Sequence, residues 1–360
     1  MATNRQILTV VAAILAAALI SFVLTPLVKR FAIRFGFLDI PKDARRMHDH
    51  PIPTIGGLAI YAAFVLVALV LSNFSRQLMG MLGGGTAIVL LGVLDDKFDL
   101  NAKLKFVVQI LAAVIPVSQG MIISYISNPL PVGEAYIPLG ILAGPITVIW
   151  IVAITNAVNF IDGLDGLSVG VCSISCLSMA VIALSLEQSS EALLLGALLG
   201  ACLGFLPYNL NPAKIFMGDT GATFLGFILA CMSVSGLFKL YTVISFAIPI
   251  LVLGVPIFDI TFATIRRIWH HVSPMKSDRS HIHHRLIDVG FNQRQSVAIL
   301  YVVASLLGVF AVMLSTSGAG KALMVLAAAV AVSVIALALL SQWAPPEDPH
   351  SRDDSDHNSK

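Results

Sequence analysis

The segment 6-QILTVVAAILAAALISFVLTPLV-28 contains no charged side chain. As a helix rising about 1.5 Å per residue, it reaches across a hydrocarbon core of about 30 Å. Only Arg5 stands before it, and 29-KRFAIR-34 follows it, with no small-residue cleavage site. The apolar run also exceeds the roughly 7–15 residues of a secretory h-region. It reads as a retained first membrane span.

Similar segments fill the chain. Eleven are expected, near 6–28, 56–72, 80–94, 106–124, 138–158, 169–186, 193–206, 221–237, 244–262, 296–315 and 322–340. Across 360 residues, 57% are hydrophobic and 12% charged. That leaves too little polar surface to cover soluble cores. With so few charges, backbone groups in the bilayer must bond within each segment, so the spans are helices. The expected fold is all-α and polytopic, one integral-membrane domain over 1–340. The tail 341–360 is Pro-rich and polar, and is expected to be disordered. Spans three and seven are short, so their helices are expected to run on into the polar motifs that follow them. No internal repeat of the transporter kind is evident.

Eighteen of the 22 Lys and Arg residues fall in one alternate set of connections. By the positive-inside rule that set is cytoplasmic, with the N-terminus outside and the C-terminus inside. Seven of the nine histidines lie on the same side, and the other two are in the tail. A polytopic protein with its polar chemistry on one face suggests an enzyme open to the cytosol. Cys172, Cys176, Cys202 and Cys231 all sit in apolar runs and read as small buried hydrophobes.

Four clusters carry the chemistry. Asp95, Asp96 and Asp99 in 91-LGVLDDKFDL-100 follow span three. Acidic residues can simply solvate a helix end, but a helix C-terminus disfavours anions and adjacent carboxylates repel. Such a pair makes sense around a divalent cation or a proton to be removed. Next, 156-NAVNFIDGLDGLSVG-170 holds Asn156, Asn159, Asp162 and Asp165. The two aspartates are spaced to share a face of a helical turn, and Gly163 and Gly166 permit close backbone approach. Third, 207-PYNLNPAKIFMGDTGA-222 supplies Asn209, Asn211, Lys214 and Asp219. Asp219 is a candidate N-cap for the next span, in a setting suited to phosphate. Last, 278-DRSHIHHRL-286 holds His281, His283, His284 and Arg285, read as a phosphate or catalytic site, a metal site, or a solvated loop. Its spacing is not a usual zinc pattern. Asp259 lies inside span nine, where a carboxylate is a functional candidate by default or pairs with a polar neighbour. Acidic groups with Asn, Lys and His fit Mg²⁺-dependent phosphate chemistry, in which the cation takes one or two carboxylates plus substrate phosphates.

The ordered motifs DD at Asp95–Asp96, NxxNFIDGLDGL at 156–167, FMGDTG at 216–221 and HIHHRL at 281–286 resemble those of a known superfamily. It is that of the polyprenyl-phosphate N-acetylhexosamine-1-phosphate transferases, of glycosyltransferase family 4 type. The resemblance covers residues 20–300 and includes 53-PTIGGLAIY-61. A DDxxD pattern ending at Asp99, an HIHH motif and eleven spans are most similar to the bacterial undecaprenyl-phosphate GlcNAc-1-phosphate transferases.

The resemblance implies transfer of GlcNAc-1-phosphate from UDP-GlcNAc to undecaprenyl phosphate, giving undecaprenyl-diphospho-GlcNAc and UMP. Such a product primes a teichoic acid, O-antigen or other envelope polysaccharide. It implies a bacterial cytoplasmic membrane location with the active site facing the cytoplasm, a homodimer as an open expectation, and no nucleic-acid partner. Asp219 would hold Mg²⁺, with Mn²⁺ as a substitute, helped by Asp95 and Asp96. One of that pair would orient or deprotonate the lipid phosphate. Asn159, Asp162, Asp165 and Asn209 would bind the nucleotide sugar, and Phe216 would stack on uracil. His281, His283, His284 and Arg285 would hold phosphates, and Lys105 the lipid phosphate. The alternatives are the phospho-MurNAc-pentapeptide translocase reaction and, from another class, a secondary transporter, which would need a site at mid-membrane.

Overall fold

The computed structural model describes residues 3–40, 51–127, 136–237, 247–269 and 281–317. The elements in order are α1 (Asn4–Phe35), β1 (Leu38–Asp39), β2 (Ile52–Pro53), α2 (Gly57–Leu71), α3 (Arg76–Phe98), α4 (Ala102–Ser118), β3 (Tyr125–Ser127) and β4 (Tyr136–Pro138). There follow α5 (Ala143–Phe160), α6 (Leu167–Ser185), α7 (Ser189–Asn209), α8 (Gly218–Met232), α9 (Ala247–Val252), α10 (Gly254–Trp269), α11 (Ile282–Asp288) and α12 (Gln293–Ser317). β1 pairs antiparallel with β2, and β3 with β4. The protein is an all-α, polytopic membrane bundle.

Seven described helices are long and apolar enough to cross a membrane, and α2 is a shorter apolar helix. Ten of the eleven expected spans fall on described helices; the eleventh and the tail lie outside the described residues. The span expected at 244–262 is not one helix. It breaks between Val252 and Gly254, because Pro256 lacks an N–H and its ring opposes the carbonyl four residues back. Spans three and seven do run on: α3 continues through the aspartate pair to Phe98, and α7 continues to Asn209. The polar motifs after spans three and seven therefore sit largely on helix ends.

The bundle is layered around α8, of which 89% of the span is buried, against 22% for α1. Helix α1 turns Leu8, Leu15, Leu19 and Phe22 outward, as a lipid-facing helix does. Its inner face carries the fully buried small residues Ala13, Ala17 and Ser21. Val10, Ile14, Ala18 and Ser21 of the same helix meet the 196-GALLGACLG-204 stripe of α7 at near backbone contact: a Cβ on Gly200 would clash with the Ile14 carbonyl oxygen. In lipid no hydrophobic effect drives helices together, so small residues that permit close packing do that work.

Candidate active site

The ends of α3, α5 and α7, the starts of α4 and α8, and the turn 161–166 meet at one end of the bundle. Asp95 and Asp96 occupy the last turn of α3. Asp96 faces the start of α8, accepting from the Asp219 N–H at 3.0 Å, the Thr220 N–H at 3.1 Å and the Thr220 hydroxyl at 2.7 Å. The cap of α8 therefore comes from a helix 123 residues earlier in the chain, not from Asp219 as expected. A helix start carries unpaired N–H groups and partial positive charge, which a carboxylate satisfies. Gly218 makes this approach feasible. It has φ +73°, and a Cβ there would lie 2.5 Å from Asp96 Oδ2.

Asp95 turns the other way. Its Oδ1 accepts the Leu100 N–H at 2.8 Å and its Oδ2 takes Lys105 Nζ at 2.6 Å. The same ammonium stands 3.5 Å from Asp219 Oδ2, so Lys105, in the first turn of α4, links two carboxylates from different helices. Asn159, in the last turn of α5, donates to Asp219 Oδ1 at 2.9 Å. Asp99 forms the C-cap of α3 at φ +50°, a left-handed position that Asp tolerates better than most residues.

Asp162 and Asp165 lie in a non-helical turn and take different tasks. Burial, with the neighbouring Asp219, Asp96 and Asp165 carboxylates, pushes Asp162 well above the usual carboxylate range. Asp165 Oδ2 accepts from Asn211 Nδ2 and the Ala213 N–H, each at 3.0 Å. Asn209 works similarly: its Oδ1 accepts the Gly166 N–H at 3.1 Å and its Nδ2 donates to the Ile215 carbonyl at 3.1 Å. Asp165 and Asn209 thus bind the two polar loops to each other at the cavity wall. Lys214 is exposed.

Two cavities open from this centre. The first, about 640 Å³, is polar; Asp95, Asp96, Asp99, Lys105, Asn159, Asp162, Asp165, Asn209, Phe216, Asp219 and His284 contribute to its lining. The second, about 750 Å³, shares Asp95, Lys105, Asn159, Asp162, Asp219 and His284 with it. Beyond them its wall is mostly apolar, including Leu91, Phe106, Ile110, Val148, Ile149 and Val152, with His281 and Arg267 also present. Phe106 and Ile149 on its wall are exposed, so the cavity is open and has apolar side chains at its surface.

Of the HIHH motif, His281 and His284 reach the cavities. The His283 side chain lies outside the described residues, as do His270 and His271. Arg285 lies over the Phe262 ring at 5.0 Å and is not part of either cavity wall. Among the described residues no three His, Cys, Asp or Glu side chains form a ready-made metal cage. What the centre does have is a concentration of acidic side chains, Asp95, Asp96, Asp162 and Asp219, with the Lys105 ammonium between Asp95 and Asp219.

Further residues, outside the four sequence clusters, border or support the site. Thr54 lines the polar cavity, on a segment tied to the FMGDTG loop by Phe216 N–H to the Pro53 carbonyl at 2.8 Å and Gly56 N–H to the Phe216 carbonyl at 2.9 Å. Gln109, 4% exposed, accepts from Asn156 Nδ2 at 2.7 Å. A buried amide in an apolar span is a signal the sequence did contain. Tyr301 Oη donates to the Gly166 carbonyl at 2.6 Å, and nothing local to Tyr301 announces that.

The membrane-embedded bundle thus holds a carboxylate-rich polar cavity beside a mostly apolar one that shares part of its wall. Comparison with known proteins is specific. Residues 78–237 match the model of glycosyl transferase family 4. The chain is 42% identical over 315 residues, 87% of each chain, to a probable undecaprenyl-phosphate N-acetylglucosaminyl 1-phosphate transferase of Bacillus subtilis. It is 33% identical over 350 residues to a decaprenyl-phosphate N-acetylglucosaminephosphotransferase of Mycolicibacterium smegmatis, covering 89% of this chain and 86% of that one. A Yersinia pestis undecaprenyl-phosphate alpha-N-acetylglucosaminyl 1-phosphate transferase is 28% identical over 292 residues, 79% of this chain and 78% of that one. The chain belongs to glycosyl transferase family 4.

Proposed function

We propose that this protein transfers GlcNAc-1-phosphate from UDP-GlcNAc to undecaprenyl phosphate, releasing UMP, as the opening step of a lipid-linked envelope polysaccharide. The carrying observation is the meeting of a polar and an apolar cavity at Asp95, Lys105 and Asp219. The names of the relatives support the acceptor and sugar, and the distribution of Lys and Arg supports a site facing the cytoplasm of a bacterial inner membrane.

The donor set suits Mg²⁺. Asp219 and Asp95 offer hard oxygen ligands from two helices, and Mg²⁺ takes few protein carboxylates when substrate phosphates complete its shell. When bound there, the cation neutralises charge on the pyrophosphate and polarises it. The residues of the chain do the rest. Phe216 and the 162–165 turn receive the nucleotide in the polar cavity. The prenyl chain lies along the apolar wall, and Lys105 at the junction holds its phosphate near the donor. An oxygen of the lipid phosphate attacks the sugar-linked phosphorus, and the bond to the bridging oxygen breaks, with its electron pair leaving on UMP. Asp96 holds the start of α8, and so the backbone of Asp219, in register. Asn159 orients the Asp219 carboxylate.

The direct test uses purified protein in lipid nanodiscs with labelled UDP-GlcNAc, undecaprenyl phosphate and Mg²⁺. Equal amounts of labelled lipid and UMP are expected. Absence of both, with the protein folded, removes this reading.

A further inference from the structure

Asp259 is 2% exposed in the middle of α10, and the scheme above gives it no task. Both its oxygens go to one short stretch of chain. Oδ2 lies 2.7 Å from Nδ1 of His281, and Oδ1 accepts the Ile282 N–H at 2.7 Å. Ile282 opens α11, whose N-cap is His281 itself, with no capping bond from its own side chain. One carboxylate therefore caps the helix and grips the ring of the capping residue.

The chemistry follows from donor and acceptor rules. A carboxylate accepts, so the proton of the pair sits on Nδ1, and Nε2 is the nitrogen turned away from Asp259. The imidazole is further stacked on Phe160, with ring centroids 5.6 Å apart and an interplanar angle of 26°. Phe160 directly follows Asn159, the partner of Asp219. His281 lines the apolar cavity with Lys105, Arg267 and Asp219. A carboxylate bonded to one ring nitrogen of a histidine sets which nitrogen carries the proton and holds the ring in place.

We propose that Asp259 is a positioning residue for the lipid acceptor: it fixes His281 so that Nε2 addresses the acceptor phosphate where the two cavities meet. This rests on the transfer reaction proposed above. The two bonds also separate this role from plain helix capping. In Asp259→Asn the amide oxygen still accepts from the Ile282 N–H, while the amide nitrogen faces Nδ1 as a donor and drives the ring proton to Nε2.

The test uses the full chain in nanodiscs. For Asp259→Asn, kcat/KM for undecaprenyl phosphate is expected to fall about 10–100-fold, with KM for UDP-GlcNAc and the melting temperature unchanged. His281→Gln should behave alike, and the double variant should be no worse than His281→Gln alone, since residues acting as one unit do not add. Equilibrium binding of labelled undecaprenyl phosphate, without donor, should weaken in Asp259→Asn. Multiplying losses in the double variant, an equal loss of UDP-GlcNAc affinity, or a variant that fails to fold would each overturn the proposal. Wild-type protein that binds the lipid but makes no product removes the reaction and not the positioning role. Lipid binding then decides, and unchanged binding in Asp259→Asn overturns it.

Discussion

The two cavities share a wall and differ in almost everything else. The polar one is built from connections and helix ends, and the polar atoms around it are tied by hydrogen bonds that cross the chain. The apolar one is built mainly from the sides of α3, α4, α5 and α10, with Gln109, Asn156, Arg267 and His281 set in an otherwise mostly apolar wall. In the first, polar side chains dominate the lining; in the second they are few and set among apolar ones. Their boundary is held by Lys105, which bridges Asp95 and Asp219.

Removing the shared wall should have the largest effect. Asp219→Ala is expected to cost at least about 10²–10³-fold in kcat, as loss of a key electrostatic group does, while the protein still inserts and elutes as a folded species. Retained turnover would detach Asp219 from the chemistry. Next, Lys105→Met keeps the length of the side chain and leaves Asp95 and Asp219 facing without their cation. A loss of roughly 10–100-fold in kcat/KM for the lipid is expected, by analogy with loss of other supporting groups in charged sites. An effect confined to the UDP-GlcNAc KM would move Lys105 to the other cavity.

A smaller pair of changes separates the cavities. Ala153→Trp should fill the apolar cavity and raise KM for undecaprenyl phosphate about tenfold, a loss of about 1.4 kcal/mol, with donor binding intact. Phe216→Ala should do the reverse, weakening UDP-GlcNAc by the roughly 1–3 kcal/mol of a base–aromatic stack. If both variants change the same KM, the division into two substrate sites is wrong.

The smallest effect concerns Asp162 in the metal-free protein. Its carboxyl titrates well above the usual range when folded, mainly through burial and then through the repulsion of Asp219, Asp96 and Asp165. Below the unfolded-state value both states hold the proton and nothing is lost. As pH rises through that value the unfolded chain releases its proton first, so stability falls until the folded group also ionises. Asp162→Asn should therefore raise the melting temperature by a few degrees at neutral pH and flatten this pH dependence. A melt unchanged between pH 5 and 8 would show that Asp162 is not under that strain.

Much of this was legible in the chain. Long apolar runs define helices in lipid because the bilayer offers backbone groups no alternative partner. Asp95, Asp96, Asn159, Asp162 and Asp219 stood out because carboxylates and amides are scarce in such a composition. Residues whose importance lies in a partner were not visible. Tyr301 looks like any tyrosine in a span, and its bond to the Gly166 carbonyl joins positions 135 residues apart. Asp259 had no identifiable partner until His281 was brought beside it from 22 residues away.

By itself the sequence determined a polytopic helical protein with acidic motifs grouped at one end of its helices, since both follow from hydropathy and alternation along the chain. Only the tertiary structure decided the use of each carboxylate. Adjacent in sequence, Asp95 and Asp96 sit on a helix and point about 100° apart. One therefore meets Lys105 at the junction of the cavities, and the other meets the start of α8. Which neighbour each meets depends on where α4 and α8 pack against α3, a placement set by close contact between helices.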